Sequence, residues 1–206
     1  QLTNYTTNMK KIIVLFIALA TFSVNANAQN FLDALKGAAT QLIDKATDGK
    51  ATELMLPGTW SYKEPAIKLV SENALADAAA NAAMSGMEAK LQKAYNYAGI
   101  KPGSCSYTFN ADGTFTAVLG KRTLTGTYTY DASTHAIELK YSSKIFNLGT
   151  TKGYAYLEGN TLDLVFDCSG LMSFLTKLGS KVSVLNSITS LLGNYDQMMV
   201  GYNFSK

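Results

Sequence analysis

The chain has 206 residues, 47% of them hydrophobic and 16% charged, with a formal net charge of +3. That length can bury one substantial core. Near-neutrality with no run of like charges argues against nucleic acid as a partner, because nucleic-acid binding needs a basic patch to displace counterions.

Residues 1–8 precede Met9 and read as an over-extended gene start. Met9-Lys10-Lys11, the apolar run Ile12 to Phe22 and the segment Ser23-Val24-Asn25-Ala26-Asn27-Ala28 form the charged, hydrophobic and cleavage parts of a signal peptide over 9–28. The apolar run is about half of the ~20 residues a spanning helix needs, so the chain is not expected to span a membrane. The expected product is one domain over 29–206, periplasmic or secreted. Removal of Lys10 and Lys11 lowers its charge from +3 to about +1.

Within that domain the spacing of Phe31, Leu35, Ala38, Leu42 and Ala46 predicts a helix over 30–48, stopped by Gly49 in the left-handed region. Gly58 to Lys63 reads as a short strand led by Trp60 and cut by Pro65. The segment 73–98 is Ala-rich, with Ala80, Met84, Met87, Leu91, Ala94 and Ala98 on one helical stripe, and Gly99 ends it. Its small side chains suit close packing on a sheet face.

From Ser104 to Asp167 the period changes to two. "CSYTF", "TFTAVL", "TLTGTYTYD", "AIELKYSS", "KGYAYLEG" and "TLDLVFDC" alternate in turn, with hairpin signals at Asp112-Gly113 and Gly159-Asn160. A Leu-rich helix follows over 169–193, with Gly179 a candidate break, and a last strand runs from Gln197 to Phe204. The fold class expected is mainly β with flanking helices (α+β). Its centre is an antiparallel up-and-down barrel of about eight strands, the last pairing with the first to leave no open edge. A helical insertion separates strands 1 and 2, and a helix precedes the last strand. Trp60 would plug one end.

Chemistry is sparse. His135 is the sole histidine and sits at a turn, where a solvated imidazole is the ordinary case. "NADG" has too few carboxylates at alternate positions for a calcium loop and reads as a hairpin turn. No zinc spacing, phosphate loop or nucleophile elbow is present, so neither a metal nor any cofactor is expected. Asp163 and Asp167 share one strand face with Glu138 as a neighbour, the least favoured basis for a carboxylate-dependent hydrolase. Cys105 and Cys168 allow one disulfide, the other reading being two buried small hydrophobes.

The motifs "LPGTWSYKEPAI", "SENALA", "EAKLQKAYNYAGIKPGS", "TFNADGTF", "LTGTYTYD", "LDLVFD" and "LLGNYDQMMVGYNF" run in order along the domain. On these residues the chain resembles a lipocalin-like (calycin) domain-of-unknown-function family, number 4923, of periplasmic Bacteroidetes proteins. Gly58-Thr59-Trp60 is similar to the Gly-x-Trp start of lipocalins. The chain departs from true lipocalins in lacking an arginine near the last strand, its only arginine being Arg122. The resemblance implies a fold and a compartment but no reaction and no retinoid-type ligand.

What remains is an aromatic supply of 12 Tyr and 9 Phe, much of it in one strand phase. A barrel lined this way either packs solid or holds an apolar ligand oriented by a few phenols. The leading expectation is a non-enzymatic exported protein that binds a small apolar or amphipathic ligand. Trp60, Phe109, Phe115, Tyr128, Leu139, Leu164, Phe166 and Tyr202 are the candidate ligand-binding residues. The alternative is a solid barrel that serves as a protein–protein interaction module in the cell envelope.

Overall fold

The computed structural model describes residues 47–69, 74–142, 148–180, 183, 185–186 and 198–206. The signal peptide expected over 9–28 lies outside the described residues, as does the helix expected over 30–48 apart from its last two positions. Among the described residues no helix is long and apolar enough to cross a membrane.

In chain order the elements are α1 (Lys50–Met55), β1 (Gly58–Leu69), α2 (Ala74–Ala98), β2 (Cys105–Phe109), β3 (Thr114–Leu119), β4 (Arg122–Asp131), β5 (Ala136–Tyr141), β6 (Thr150–Glu158), β7 (Thr161–Asp167), α3 (Cys168–Lys177) and β8 (Met198–Ser205). All eight strands pair antiparallel with their sequence neighbours, and β8 closes on β1. The mainly β, up-and-down barrel read from two-residue alternation is therefore the fold. Each strand turns one set of side chains inward, so burial alternates along β2, β3 and β5. The Asp112-Gly113 turn forms as expected. Gly113 has a φ of 81°, and the Asp112 carboxylate accepts hydrogen bonds from the Thr114 amide and hydroxyl.

Of three boundaries, the first and third differ from expectation, and the second falls at the expected break at Gly179, with residues 183, 185 and 186 helical beyond it. First, β1 continues past Pro65 to Leu69. Its pairing with β2 ends at Ser61, and its register with β8 shifts between Tyr62 and Glu64. Pro65 thus follows a bulge, where β1 is bonded only to β8, and its missing N–H costs the ladder little. Val200 and Tyr202 pair with Ile67 and Pro65 in this extension. Second, the helix after β7 ends at Lys177, and Gly179 follows with a φ of 96°. Most of its expected remainder lies outside the described residues. Third, α1 follows Gly49 directly. Gly49 is left-handed as expected, but it opens a new helix, and a Cβ there would lie 2.1 Å from the Ala132 carbonyl oxygen.

Helices cover both ends of the barrel. At the end where β1 begins, Thr52 of α1 accepts a hydrogen bond from the Leu157 amide of β6 at 3.1 Å. At the other end α2 presents Met87, Leu91, Ala94, Tyr95 and Ala98, all fully buried. Those residues fall at helical spacing, so one face of α2 is spent on the barrel. α3 adds Leu171, Phe174 and Leu175 beside it. Asp167 caps α3 by accepting from the Gly170 amide at 2.7 Å, and Ser180 ties the end of α3 to α2 by donating to the Ala94 carbonyl at 2.8 Å.

Candidate functional site

Trp60 is fully buried at the first end. Its Nε1 donates to the Leu56 carbonyl at 2.8 Å. The Lys206 ammonium sits 4.6 Å from the Trp60 ring and donates to the Met55 and Pro57 carbonyls. A cation at the end of the last strand is thus present despite the absent arginine.

Three phenols converge deeper in the barrel. Tyr107 on β2 lies opposite Ala117, Tyr141 on β5 opposite Gly126, and Tyr202 on β8 opposite Leu164. The small partner Gly126 leaves room that the Phe115 ring takes from the adjacent strand. The Tyr107 and Tyr141 hydroxyls are hydrogen-bonded at 3.1 Å. Tyr202 is hemmed in by Tyr95 at 5.0 Å, Tyr62 and Phe166 each at 6.1 Å, and Phe204 at 5.8 Å between ring centroids. Its hydroxyl is buried and has no hydrogen-bond partner among the described residues.

Thr151 and Phe166 flank these phenols, and Leu171 and Phe174 of α3 roof them. The gaps among these seven residues are nowhere wide enough for a water molecule. Burial pushes the phenols of Tyr95, Tyr107 and Tyr202 well above the ordinary tyrosine range, so the site offers neutral O–H groups.

All eight candidate residues read from the sequence face this interior, and seven are buried, with Tyr128 only partly so. Only Phe166 and Tyr202 border the tyrosine-lined space. Phe109, Phe115 and Tyr128 pack together near the Trp60 end, at 5.0 to 6.3 Å between centroids. Leu139 and Leu164 lie in the same core. Tyr107 and Tyr141 were legible as inward-facing positions. Thr151 was hidden by its polar side chain, and Leu171 and Phe174 by lying on a helix.

The other candidates have structural duties. Asp163 is nearly buried on the outer wall, 3.1 Å from the Lys68 ammonium, and accepts from Asn203 at 2.6 Å. Lys68 also meets Glu158 at 2.5 Å. Asp167 caps α3, and Glu138 lies 3.7 Å from Lys152. His135, expected to be solvated, is half-buried with a φ of 58°. Its Nδ1 lies 3.1 Å from the Tyr130 hydroxyl, and its ring is 4.9 Å from Tyr156. Cys105 and Cys168 are free thiols, pushed up by burial to about 12 and about 11, so neither is a nucleophile at neutral pH. An open groove of about 510 Å3 crosses the outer wall, lined in part by Tyr154, Tyr130, Asp131, Glu138 and Lys152.

A family model described as a lipocalin-like domain (DUF4923) matches residues 32–206. No curated protein matches the chain. A solved structure titled as a DUF4847 family protein from Bacteroides vulgatus is similar at 17% identity and a TM-score of 0.37, covering 75% of this chain and 96% of that one.

Proposed function

The chain belongs to the lipocalin-like DUF4923 family, and on that premise we propose that it is an exported, non-enzymatic protein that takes a small apolar or amphipathic molecule into its barrel. The observation that supports this reading is the tyrosine-lined centre. Buried aromatic rings surround a phenol hydroxyl, that of Tyr202, which no described residue satisfies. Native proteins pair nearly all buried polar groups, and an orphan calls for a role. Ordinary ligand pockets hold roughly 300–1,000 Å3 and this centre has no water-sized space, so the ligand is small and enters by displacing a wall. Native mass spectrometry of protein purified from its own host should reveal a retained non-covalent mass. Repeated recovery of bare protein would remove the support.

The absence of water-sized space in that centre favours a second reading, an envelope interaction module built on a solid barrel. Its partner surface would not be the described part of the helical stripes, where Met87, Leu91, Leu171 and Leu175 are all buried. The outer-wall groove beside the exposed Tyr154 would serve instead. Cross-linking in intact cells, with Tyr154→Ala as control, separates the two: a cross-linked partner lost with Tyr154 supports the module.

A further inference from the structure

The geometry points to α3 as a lid over the tyrosine centre and to a neutral ligand beneath it, with an apolar body and one hydroxyl or carbonyl head that pairs with Tyr202. The inference rests on the barrel-interior reading above and adds the ligand's charge, its anchor and its way in.

The anchor follows from the packing. The Tyr202 ring is held by Tyr95, Tyr62, Phe166 and Phe204, so its hydroxyl cannot swing to another partner. Phenylalanine would fill the same volume, so the oxygen has no packing role. Tyr107 and Tyr141 are already paired with each other. That bond uses one of their two protons, and Tyr202 is the one phenol of the three whose hydroxyl makes no hydrogen bond to the described residues.

The charge follows from the lining. The described lining residues are tyrosine, threonine, phenylalanine and leucine, none of them charged at neutral pH. Cations near the barrel are engaged elsewhere: Lys206 on Trp60 at the far end, Lys68 with Asp163 and Glu158 on the outer wall, and Arg122 with the Ala98 carbonyl. A carboxylate or ammonium head would lose its hydration in this centre and gain no counter-charge. Fatty acids are therefore excluded, and alcohols or ketones of similar length are not.

The way in follows from what holds each wall. Moving a strand breaks a ladder of backbone hydrogen bonds on both sides. Among the described residues α3 is held by the apolar seats of Leu171, Met172, Phe174 and Leu175, by the Asp167 cap and by the Ser180 bond to α2, with no strand ladder to break. Its two ends are pivots: Asp167 has extended backbone (ψ 149°), and Gly179 is left-handed.

The test uses the full chain with 1-hexanol, hexanoate and hexylamine, followed by NMR titration and stopped-flow. Hexanol should bind at least about tenfold tighter than either ion. Tyr202→Phe should lose about tenfold of the hexanol affinity while melting no lower than wild type. Ser180→Ala should speed hexanol association by about threefold with the same end point. Equal binding of hexanoate overturns the neutral-ligand claim. An unchanged affinity in Tyr202→Phe overturns the anchor, and unchanged association in both Ser180→Ala and Asp167→Ala overturns the lid. Failure of hexanol to bind defeats the whole inference. The barrel-interior reading falls with it only if host-purified protein is also bare.

Discussion

The two ends of the barrel interior are finished differently. Around Trp60 the polar atoms described are all paired: the indole N–H with Leu56, and the Lys206 ammonium with two carbonyls and the ring face. Beneath α3 the aromatic packing is as dense, yet one phenol hydroxyl is left without a partner among the described residues. The first region has the completeness of a structural plug. The second keeps a polar group that folding does not need, which is what a binding centre in its closed form looks like. Each experiment below either sharpens that contrast or abolishes it.

The largest effect should come from alkaline pH, because five buried phenols of the tyrosine centre resist ionisation. The plug, by contrast, has one titrating group, the Lys206 ammonium, which burial already disposes to give up its proton. Burial raises the phenols of Tyr62, Tyr95, Tyr107, Tyr141 and Tyr202 above the model-compound value of 10.0. A group whose folded value lies above its unfolded one lends stability that is complete below the unfolded value and is lost as pH rises beyond it. Lys68 acts in the same direction: desolvation lowers it, but Asp163 and Glu158 together outweigh that and raise it. The fold should therefore hold to about pH 10 and then unfold steeply, with several phenols released together. Phenolate absorbance and circular dichroism should change in step. Smooth ionisation of these tyrosines near pH 10 in an intact fold would mean that the centre is wet.

Next in size is loss of the plug. Trp60→Ala removes a fully buried indole whose N–H is paired, and should cost about 3–5 kcal/mol in chemical denaturation. A loss below about 1.5 kcal/mol would show that α1 and Lys206 close this end without the indole.

Tyr202→Phe should move stability the other way. It deletes only the unpaired oxygen, and an unsatisfied buried group costs about 1–3 kcal/mol, so the variant should be more stable by an amount within that range. Loss of stability would mean that the hydroxyl has a partner in solution, and the two regions would then be alike.

How much of this could be read from the sequence varies with the range of the interactions involved. β2 and β3 were legible to the residue, because two-residue alternation and the Asp112-Gly113 turn are local signals. β1 was stopped too early because Pro65 is a local breaker. Its tolerance depends on a bulge and on pairing with β8, more than a hundred residues away in sequence. α1 has six residues and no periodic stripe to betray it. The inward phase of the strands was legible, but the filling of the barrel was not. Gly126 vacates space that the Phe115 ring takes from the adjacent strand, and Tyr95 and Phe174 enter from helices. An unpaired hydroxyl can be seen only once every neighbour has its place.

Lys206→Met should have the smallest effect, and its size measures what the plug owes to charge. The ammonium gains the Trp60 ring face and two carbonyls, worth about 0.5–2 kcal/mol for the ring alone. Against this, burial lowers the lysine's pKa, so desolvation of the charged form takes back part of the gain. Methionine keeps the apolar stem over the indole, and of the two freed carbonyls that of Pro57 belongs to a half-buried residue that water can reach, while Met55 is buried. The net loss should be about 0.5–1 kcal/mol. Because Trp60 is the lone tryptophan, its fluorescence follows this end of the barrel alone, and the unfolding transition it reports should stay cooperative. A loss above about 3 kcal/mol would put the lysine in the class of a buried pair broken at one partner. The plug would then depend on a desolvated charge as heavily as the tyrosine centre depends on protonated phenols, and the two ends would differ in the sign of their chemistry but not in how completely they are built.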